Sequence, residues 1–309
     1  MGRLNVDQEL LPLRRIRPVL WRPLLPLMNA VLMLLPRPFR GEVKAGKRLI
    51  ASGQGDEVSL TVIKPPGLRA PAPCLVFYHG GAFVLEAAPH HYSLAARLAQ
   101  EASCIVILPR YRLAPRHPYP VPLEDCFTAY EWVRAHAAVL GIDPCRIAVG
   151  GDSAGGNLAA AVCLLARDRK TPPPCFQLLL YPVTDRRMES ASMRAFRDTA
   201  MWNAGLNREM WKRYLPGCAS WPIYYASPME ARSLADLPDA YLETAELDPL
   251  RDEGVAYAEA LRNAGAEVQL VRVRRAFHGF DLMKNSGLVA QRVIDRARAL
   301  KQAFLAEGS

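Results

Sequence analysis

A doubly wound α/β fold, one mostly parallel sheet covered by helices on both faces, is what this 309-residue chain predicts. Three observations predict it. From about residue 46 onward, short runs with β character alternate with longer runs at helical spacing. CLVFYHG at 74–80 and CIVILPRY at 104–111 are almost continuously apolar, the pattern of a parallel strand covered on both sides. With 50% hydrophobic and 22% charged residues, the composition is that of a globular chain and excludes a disordered or fibrous one.

RLIAS at 48–52 and EVSLTVIK at 57–64 read as the first two strands, the second ended by Pro65, Pro66 and Gly67. Between the two apolar runs, HYSLAARLAQEA repeats apolar residues at helical spacing, with His90 and His91 placed ahead of the helix. LEDCFTAYEWVRAHAAVLG reads as one helix that contains His136 and stops at Gly141. RIAVGG, FQLLLYP, AYLET and EVQLVRV supply four more strands, separated by the helical runs NLAAAVCLLARD and DEGVAYAEALRNAG, and LVAQRVIDRARALKQAF closes the chain. Residues 186–231, rich in Met, Trp and Tyr, fill a place where a short crossover is enough. They read as a helical insertion over the carboxyl end of the sheet, packed with the N-terminal arm. Residues 1–45 form that arm, and 46–309 the domain that carries the insertion.

The net charge of +9 is uneven: residues 1–50 hold ten Lys/Arg against three Asp/Glu, so +7 sits there and +2 in the rest. A nearly neutral main domain argues against a nucleic-acid partner. Within the arm the uncharged stretch runs only from Pro23 to Pro36, and prolines recur at 12, 18, 23, 26, 36 and 38. That is shorter than the roughly 20 residues of a membrane span. No small-residue cleavage pattern follows it, which argues against a signal peptide. Apolar helices packed on the main domain are the leading reading. An interfacial segment that inserts Leu and Trp21 while its arginines meet anionic lipid is the second, giving at most a weak membrane-surface contact. The seven cysteines, at 74, 104, 126, 145, 163, 175 and 218, show no CxxC spacing and read as reduced core residues of a cytoplasmic protein.

Chemistry enters with GGDSAGGN at 150–157, which follows one strand and opens one helix. A serine at the tip of such a turn has a strained backbone, so the residues two before and two after, Gly151 and Gly155, must lack bulk. Ser153 is then presented for attack at a helix N-terminus. A hydroxyl becomes a nucleophile only when an oriented base takes its proton. Acid and base should follow in that order beyond two strand ends. Asp248 in LDPLRDEG and His278 in RAFHGF stand there. Asp248 also suits a helix N-cap, and Asp252 competes for either role. Among the six histidines, at 79, 90, 91, 117, 136 and 278, position singles out His278. Acyl transfer also needs fixed amide donors for the developing oxyanion. HGGA at 79–82, after the third parallel strand, is where an α/β-hydrolase carries them, which assigns the amides of Gly80, Gly81, Ala82 and Ala154. His79 reads as an anchor of the loop.

Together HGGAF, YRLAPRHPYP, GDSAGGNLA, DPLRDEGVAYAEAL and FHGF resemble the hormone-sensitive-lipase-like family of α/β-hydrolases, which includes bacterial acetyl esterases and carboxylesterases. The resemblance spans residue 46 to the C-terminus. It implies an eight-stranded α/β-hydrolase sheet, a helical cap built from the N-terminus and an insertion, no metal or cofactor, and hydrolysis of short- to medium-chain acyl esters; a monomer or homodimer is expected apart from it. It also makes Ser153 nucleophile, Asp248 acid, His278 base and the HGG loop the oxyanion hole. Three departures stand out: Ala82 replaces the usual third glycine, Arg116 replaces an acidic residue before HP, and Arg274 and Arg275 precede AFHGF. The arginines either bias the entrance toward acidic substrates or are solvated surface charge, the simpler account. A membrane-associated lipase and a non-hydrolysing small-molecule binding protein on the same fold are the alternative functions. Because the base must be neutral, the mechanism predicts activity that falls at acid pH, where histidines ordinarily take up a proton.

Overall fold

The computed structural model describes residues 5–18, 20, 22–39, 42–52, 56–217 and 221–306. Trp21 and Cys218 lie outside the described residues. Eight strands form one sheet: β1 (Lys44–Ala51), β2 (Glu57–Lys64), β3 (Ala72–Tyr78), β4 (Ile105–Arg110), β5 (Ile142–Asp152), β6 (Gln177–Leu180), β7 (Ala240–Ala245) and β8 (Val268–Val273). Their order is β1-β2-β4-β3-β5-β6-β7-β8. β2 pairs antiparallel with both β1 and β4, and every other pairing is parallel. The predicted α/β-hydrolase sheet is therefore present, with β3 third in the chain but first of the parallel set. That corrects the count made from sequence: the hairpin β1–β2 is an antiparallel edge.

Residues alternate along β3 between two apolar layers. Val76 and Tyr78 face the side covered by α3 (Val121–Ala135), α5 (Ala154–Asp168) and α8 (Arg251–Asn263). Leu75 and Phe77 face the side covered by α2 (Pro89–Ala102) and α9 (Gly287–Leu305). The chain leaves β3 in one direction to β4 and returns past it to β5, so the order reverses between β3 and β5. Such a reversal opens a crevice at the carboxyl ends of the strands, where the loops after β3 and β5 meet.

Two helix boundaries differ from the sequence reading. His90 and His91 lie inside the first turn of α2, because Pro89, with its fixed φ and missing N–H, starts the helix one turn earlier. The run ending at Gly141 is two helices, α3 and α4 (Ala137–Leu140), with His136 at the break. Its imidazole Nδ1–H donates to Trp132 O at 2.9 Å and its ring stacks on the Trp132 indole, so a side chain competes for the carbonyl at the helix end. Gly141 stops α4 at φ 71° as expected.

The N-terminal arm carries a 3₁₀ segment, Gln8–Leu13, and α1 (Leu25–Leu34). The insertion carries α6 (Ala191–Ala195) and α7 (Ala204–Tyr214). The two are joined: Met201 N–H donates to Ile16 O at 2.9 Å, Arg213 to Leu20 O at 2.6 Å and Arg17 to Asp198 at 3.1 Å. No helix of the described residues is long and apolar enough to cross a membrane. Of the described cysteines, 74, 104, 126 and 163 are buried, Cys175 is half-buried and Cys145 is exposed, so the expectation of core cysteines fails at Cys145.

Two buried charge sites support the carboxyl end of the sheet. Arg296 of α9, fully buried, pairs with Glu243 of β7 and, at 3.0 Å, with Asp281, three residues beyond His278. Tyr181 Oη–H donates to Asp281 at 2.8 Å and Tyr241 Oη–H to Glu243 at 2.9 Å. The spacing Val289, Val293, Arg296, Leu300, Phe304 puts the arginine on the buried stripe of α9. Glu253 of α8 is the second site. Its Oε1 accepts from Thr184 N–H at 2.8 Å and Asp185 N–H at 3.2 Å, while Oε2 has no partner. Burial outweighs the two amides and, with the charges of Asp185 and Asp248, holds this carboxyl's pKa well above the ordinary range.

Two outcomes follow. Removing Arg296 strands two buried carboxylates, so Arg296→Met is expected to destabilise the protein by about 3–5 kcal/mol, read from urea unfolding midpoints. Glu253 keeps its proton in the folded chain while the unfolded chain loses it near 4.5, so it subtracts stability as pH rises above that value. Glu253→Gln is expected to leave the melting temperature unchanged near pH 4 and to raise it progressively toward pH 8; a pH-independent difference refutes the account.

Candidate active site

Gly150, Gly151 and Asp152 finish β5 and Ser153 precedes α5 with φ 54° and ψ −117°, a strained conformation for a residue with a side chain. Such strain costs on the order of 1–3 kcal/mol and persists only where surroundings enforce it. Here Ser153 N–H donates to Leu180 O at 2.8 Å and Val183 N–H donates to Ser153 O at 3.2 Å. The flanking glycines are required by space. A Cβ on Gly155 would collide with the backbone of Tyr78 and His79, and one on Gly151 with Gly155 and Tyr78 O. The serine turn is thus pressed directly against the end of β3.

The structure brings Ser153, His278 and Asp248 together in a line. His278 Nε2 lies 2.8 Å from Ser153 Oγ, and His278 Nδ1 lies 2.7 Å from Asp248 Oδ2. Asp248 Oδ1 accepts from Leu250 N–H at 2.9 Å, so Oδ2 is left for the histidine. With Nδ1–H donating to the carboxylate, the Nε2 lone pair faces the serine hydroxyl. Tyr181 meets the imidazole edge-on at 4.9 Å between ring centroids. Asp252 is elsewhere: its Oδ2 accepts from Ser192 N–H at 2.7 Å and its Oδ1 pairs with Arg251. Of the two carboxylates weighed from sequence, Asp248 is the one beside the imidazole.

The loop after β3 departs from expectation at one donor. Gly80 N–H donates to Asp152 Oδ1 at 2.9 Å, so it is already used and leaves the set of oxyanion donors. The N–H groups of Gly81, Ala82 and Ala154 donate to no acceptor among the described residues. Gly81 and Ala82 border the same cavity as Ser153, and Ala154 is the first residue of α5. Gly81 has φ 125°, while Ala82 and Phe83 have φ 57° and 59°. The position where the resemblance leads one to expect glycine is therefore left-handed, and Ala82 holds it at a backbone cost.

Beneath this loop His79 Nδ1–H donates to Gly80 O at 2.7 Å and its ring stacks on Tyr111 at 4.5 Å. Burial, followed by the neighbouring His91, pushes the His79 imidazole down to about 4, so it is uncharged at neutral pH. Asp152 Oδ2 lies 3.3 Å from His91 Nε2. Burial opposes ionisation of Asp152, but His91, His90 and the Gly80 amide together hold its carboxyl below the usual carboxylate range. His90, His91 and Asp152 stand close enough to suggest a metal centre. The tautomer argues against it: Ala88 N–H donates to His91 Nδ1 at 2.9 Å, so Nε2 carries the hydrogen and faces Asp152 as a donor. Sequence reasoning missed Asp152 and His91, although Asp152 sits within the serine motif.

A cavity of about 510 Å³ opens above Ser153. Leu27, Met28, Val31 and Leu32 of α1 line one wall, and Met201, Trp202 and Leu282 line others. Trp211 lies behind, packed on Phe83 and Tyr214. No Lys or Arg of the described residues lines the cavity. Arg116 and Arg274 are exposed outside it and Arg275 reaches Val6 O, so none of the three arginines lines the cavity.

Known proteins are similar to this chain over most of their length. A family model described as alpha/beta hydrolase fold matches residues 75–282. The carboxylesterase NlhH of Mycobacterium tuberculosis is 39% identical over 244 residues, 77% of this chain and 76% of that one. Among solved structures, a bacterial heroin esterase superposes with a TM-score of 0.87 at 36% identity, covering 98% of this chain and 99% of the other. The esterase LipW from Mycobacterium marinum gives a TM-score of 0.91 at 31% identity, with 97% and 96% covered. The chain belongs to the α/β-hydrolase family, in its hormone-sensitive-lipase-like branch.

Proposed function

We propose that the protein is a serine carboxylesterase that hydrolyses uncharged short- to medium-chain acyl esters. The observation that carries this reading is the hydrogen-bonded line Asp248–His278–Ser153 at the floor of a largely apolar cavity, next to unused amides. The similar proteins named above are esterases, which supports the reaction class. A cavity of 510 Å³ is within the range of small-molecule sites, and walls without cations favour a neutral acyl group.

In the proposed mechanism His278 Nε2 takes the Ser153 proton as Oγ attacks the ester carbonyl. Asp248 keeps Nδ1–H in place and stabilises the imidazolium. The amides of Gly81, Ala82 and Ala154 receive the oxyanion, aided by the N-terminus of α5. The imidazolium then protonates the departing alkoxide, and water repeats the sequence on the acyl-enzyme. Residues 1–45 and 186–231 act as the cap that walls the cavity, a division supported by the hydrogen bonds between them. A non-hydrolysing binding protein would not require the three side chains within hydrogen-bond reach of one another.

Assay of a panel of chromogenic esters from acetyl to palmitoyl is expected to give maximal kcat/KM at short to medium acyl length. Ser153→Ala should lose at least about 10⁴-fold in kcat while keeping its fold by circular dichroism. Turnover retained in that variant would eliminate the mechanism.

A further inference from the structure

The one polar side chain in the run PLLPLMNAVLMLLP belongs to Asn29, in the middle of α1. Leu25 is the only buried residue of that helix, while Leu27, Val31, Met33 and Leu34 are exposed. A helix anchored so lightly by apolar contact needs another fastening, and Asn29 supplies one. Its Nδ2–H donates to Val84 O at 2.9 Å and its Oδ1 accepts from Glu86 N–H at 2.9 Å. The orientation of the amide is fixed by its partners, since a carbonyl can only accept and a backbone N–H can only donate.

Val84 and Glu86 end the segment that begins with Gly81 and Ala82. The turn between is closed by Val84 N–H and Leu85 N–H, which both donate to Gly81 O, at 3.0 and 2.9 Å. Two non-glycine residues in it, Ala82 and Phe83, hold positive φ, a strain that persists only where surroundings enforce it, and Ala114 N–H donates to Phe83 O at 2.9 Å within the turn. Asp152 fastens the near end through Gly80 N–H, and Asn29 fastens the far end. The same helix presents Leu27, Met28, Val31 and Leu32 to the cavity.

We infer that Asn29 is a positioning residue for the oxyanion loop, clipping the cap helix to the segment that carries the amide donors. The inference rests on the proposed function, because it takes Gly81 and Ala82 as those donors. The wall against which an acyl chain lies and the groups that meet the oxyanion then move as one body. Asn29 touches neither the ester nor the reacting atoms, so its loss acts on the transition state through the loop.

The test is steady-state kinetics with acetyl and hexanoyl p-nitrophenyl esters on the wild type, Asn29→Ala and Asn29→Asp. Leu34→Ser serves as a control on the same helix, at a side chain outside the cavity. Asn29→Asp has nearly the same size and keeps the acceptor for Glu86 N–H but turns an oxygen toward Val84 O. Both Asn29 variants are expected to lose roughly ten-fold in kcat, less than the 10² or more for deleting an oxyanion donor outright, with KM changed under about two-fold. Inhibition constants for a trifluoromethyl ketone, whose adduct carries the oxyanion, should weaken by the same factor. Leu34→Ser should match the wild type. Wild-type kcat in a folded Asn29 variant overturns the inference, as does a loss confined to KM or an inhibitor affinity that does not follow kcat. If Ser153→Ala is inactive while the Asn29 variants are normal, only this inference fails; if Ser153→Ala turns over, the functional reading fails with it.

Discussion

Everything at the carboxyl end of the sheet depends on the backbone contact between the Ser153 turn and the end of β3. Neither chain could approach the other if residues 151 and 155 carried a Cβ. Once they meet, Asp152 is close enough to hold Gly80 N–H, and the two loops become one unit. The glycines of GDSAGG and of HGG are therefore two halves of one packing problem. Neither set is explained by its own turn alone. A strained serine and a strained loop stabilise each other because relaxation of either would drive it into its neighbour.

The support beneath this unit is built from buried charges. Arg296, Glu243 and Asp281 join α9, β7 and the loop that carries His278. Tyr181 ties the same group to the imidazole. Buried ion pairs are weak contributors to net stability, since desolvation offsets most of their attraction. Here the network links α9 and β7 to the histidine loop through Asp281.

Much of the architecture was legible because parallel strands buried on two faces read as nearly continuous apolar runs, as CLVFY and CIVIL do. Ser153, Asp248 and His278 were legible because strand ends in an α/β sheet all point to one rim, so chain order predicts proximity. What was hidden needed three dimensions. Nothing in HGG shows that the Gly80 amide is taken by a carboxylate 72 positions away. His136 looked like a helix interior residue because its competition for the Trp132 carbonyl is a matter of rotamer and leaves no trace in periodicity. Arg296 and Asn29 did leave a trace, each being a lone polar residue on an apolar stripe. Such residues are informative, since a polar group drawn out of water usually needs partners.

The cavity wall and the sheet have different degrees of commitment. Leu27, Met28, Val31 and Leu32 border the cavity from a ten-residue helix that buries one side chain and is tied down by Asn29 and by Arg110 at Met33. Side chains there can be exchanged at small cost in folding energy, whereas almost any change at Gly151 or Gly155 is forbidden. Divergence among descendants of this chain should therefore accumulate in the lightly held helix first. New shapes of guest can be explored there while the machinery below is inherited intact.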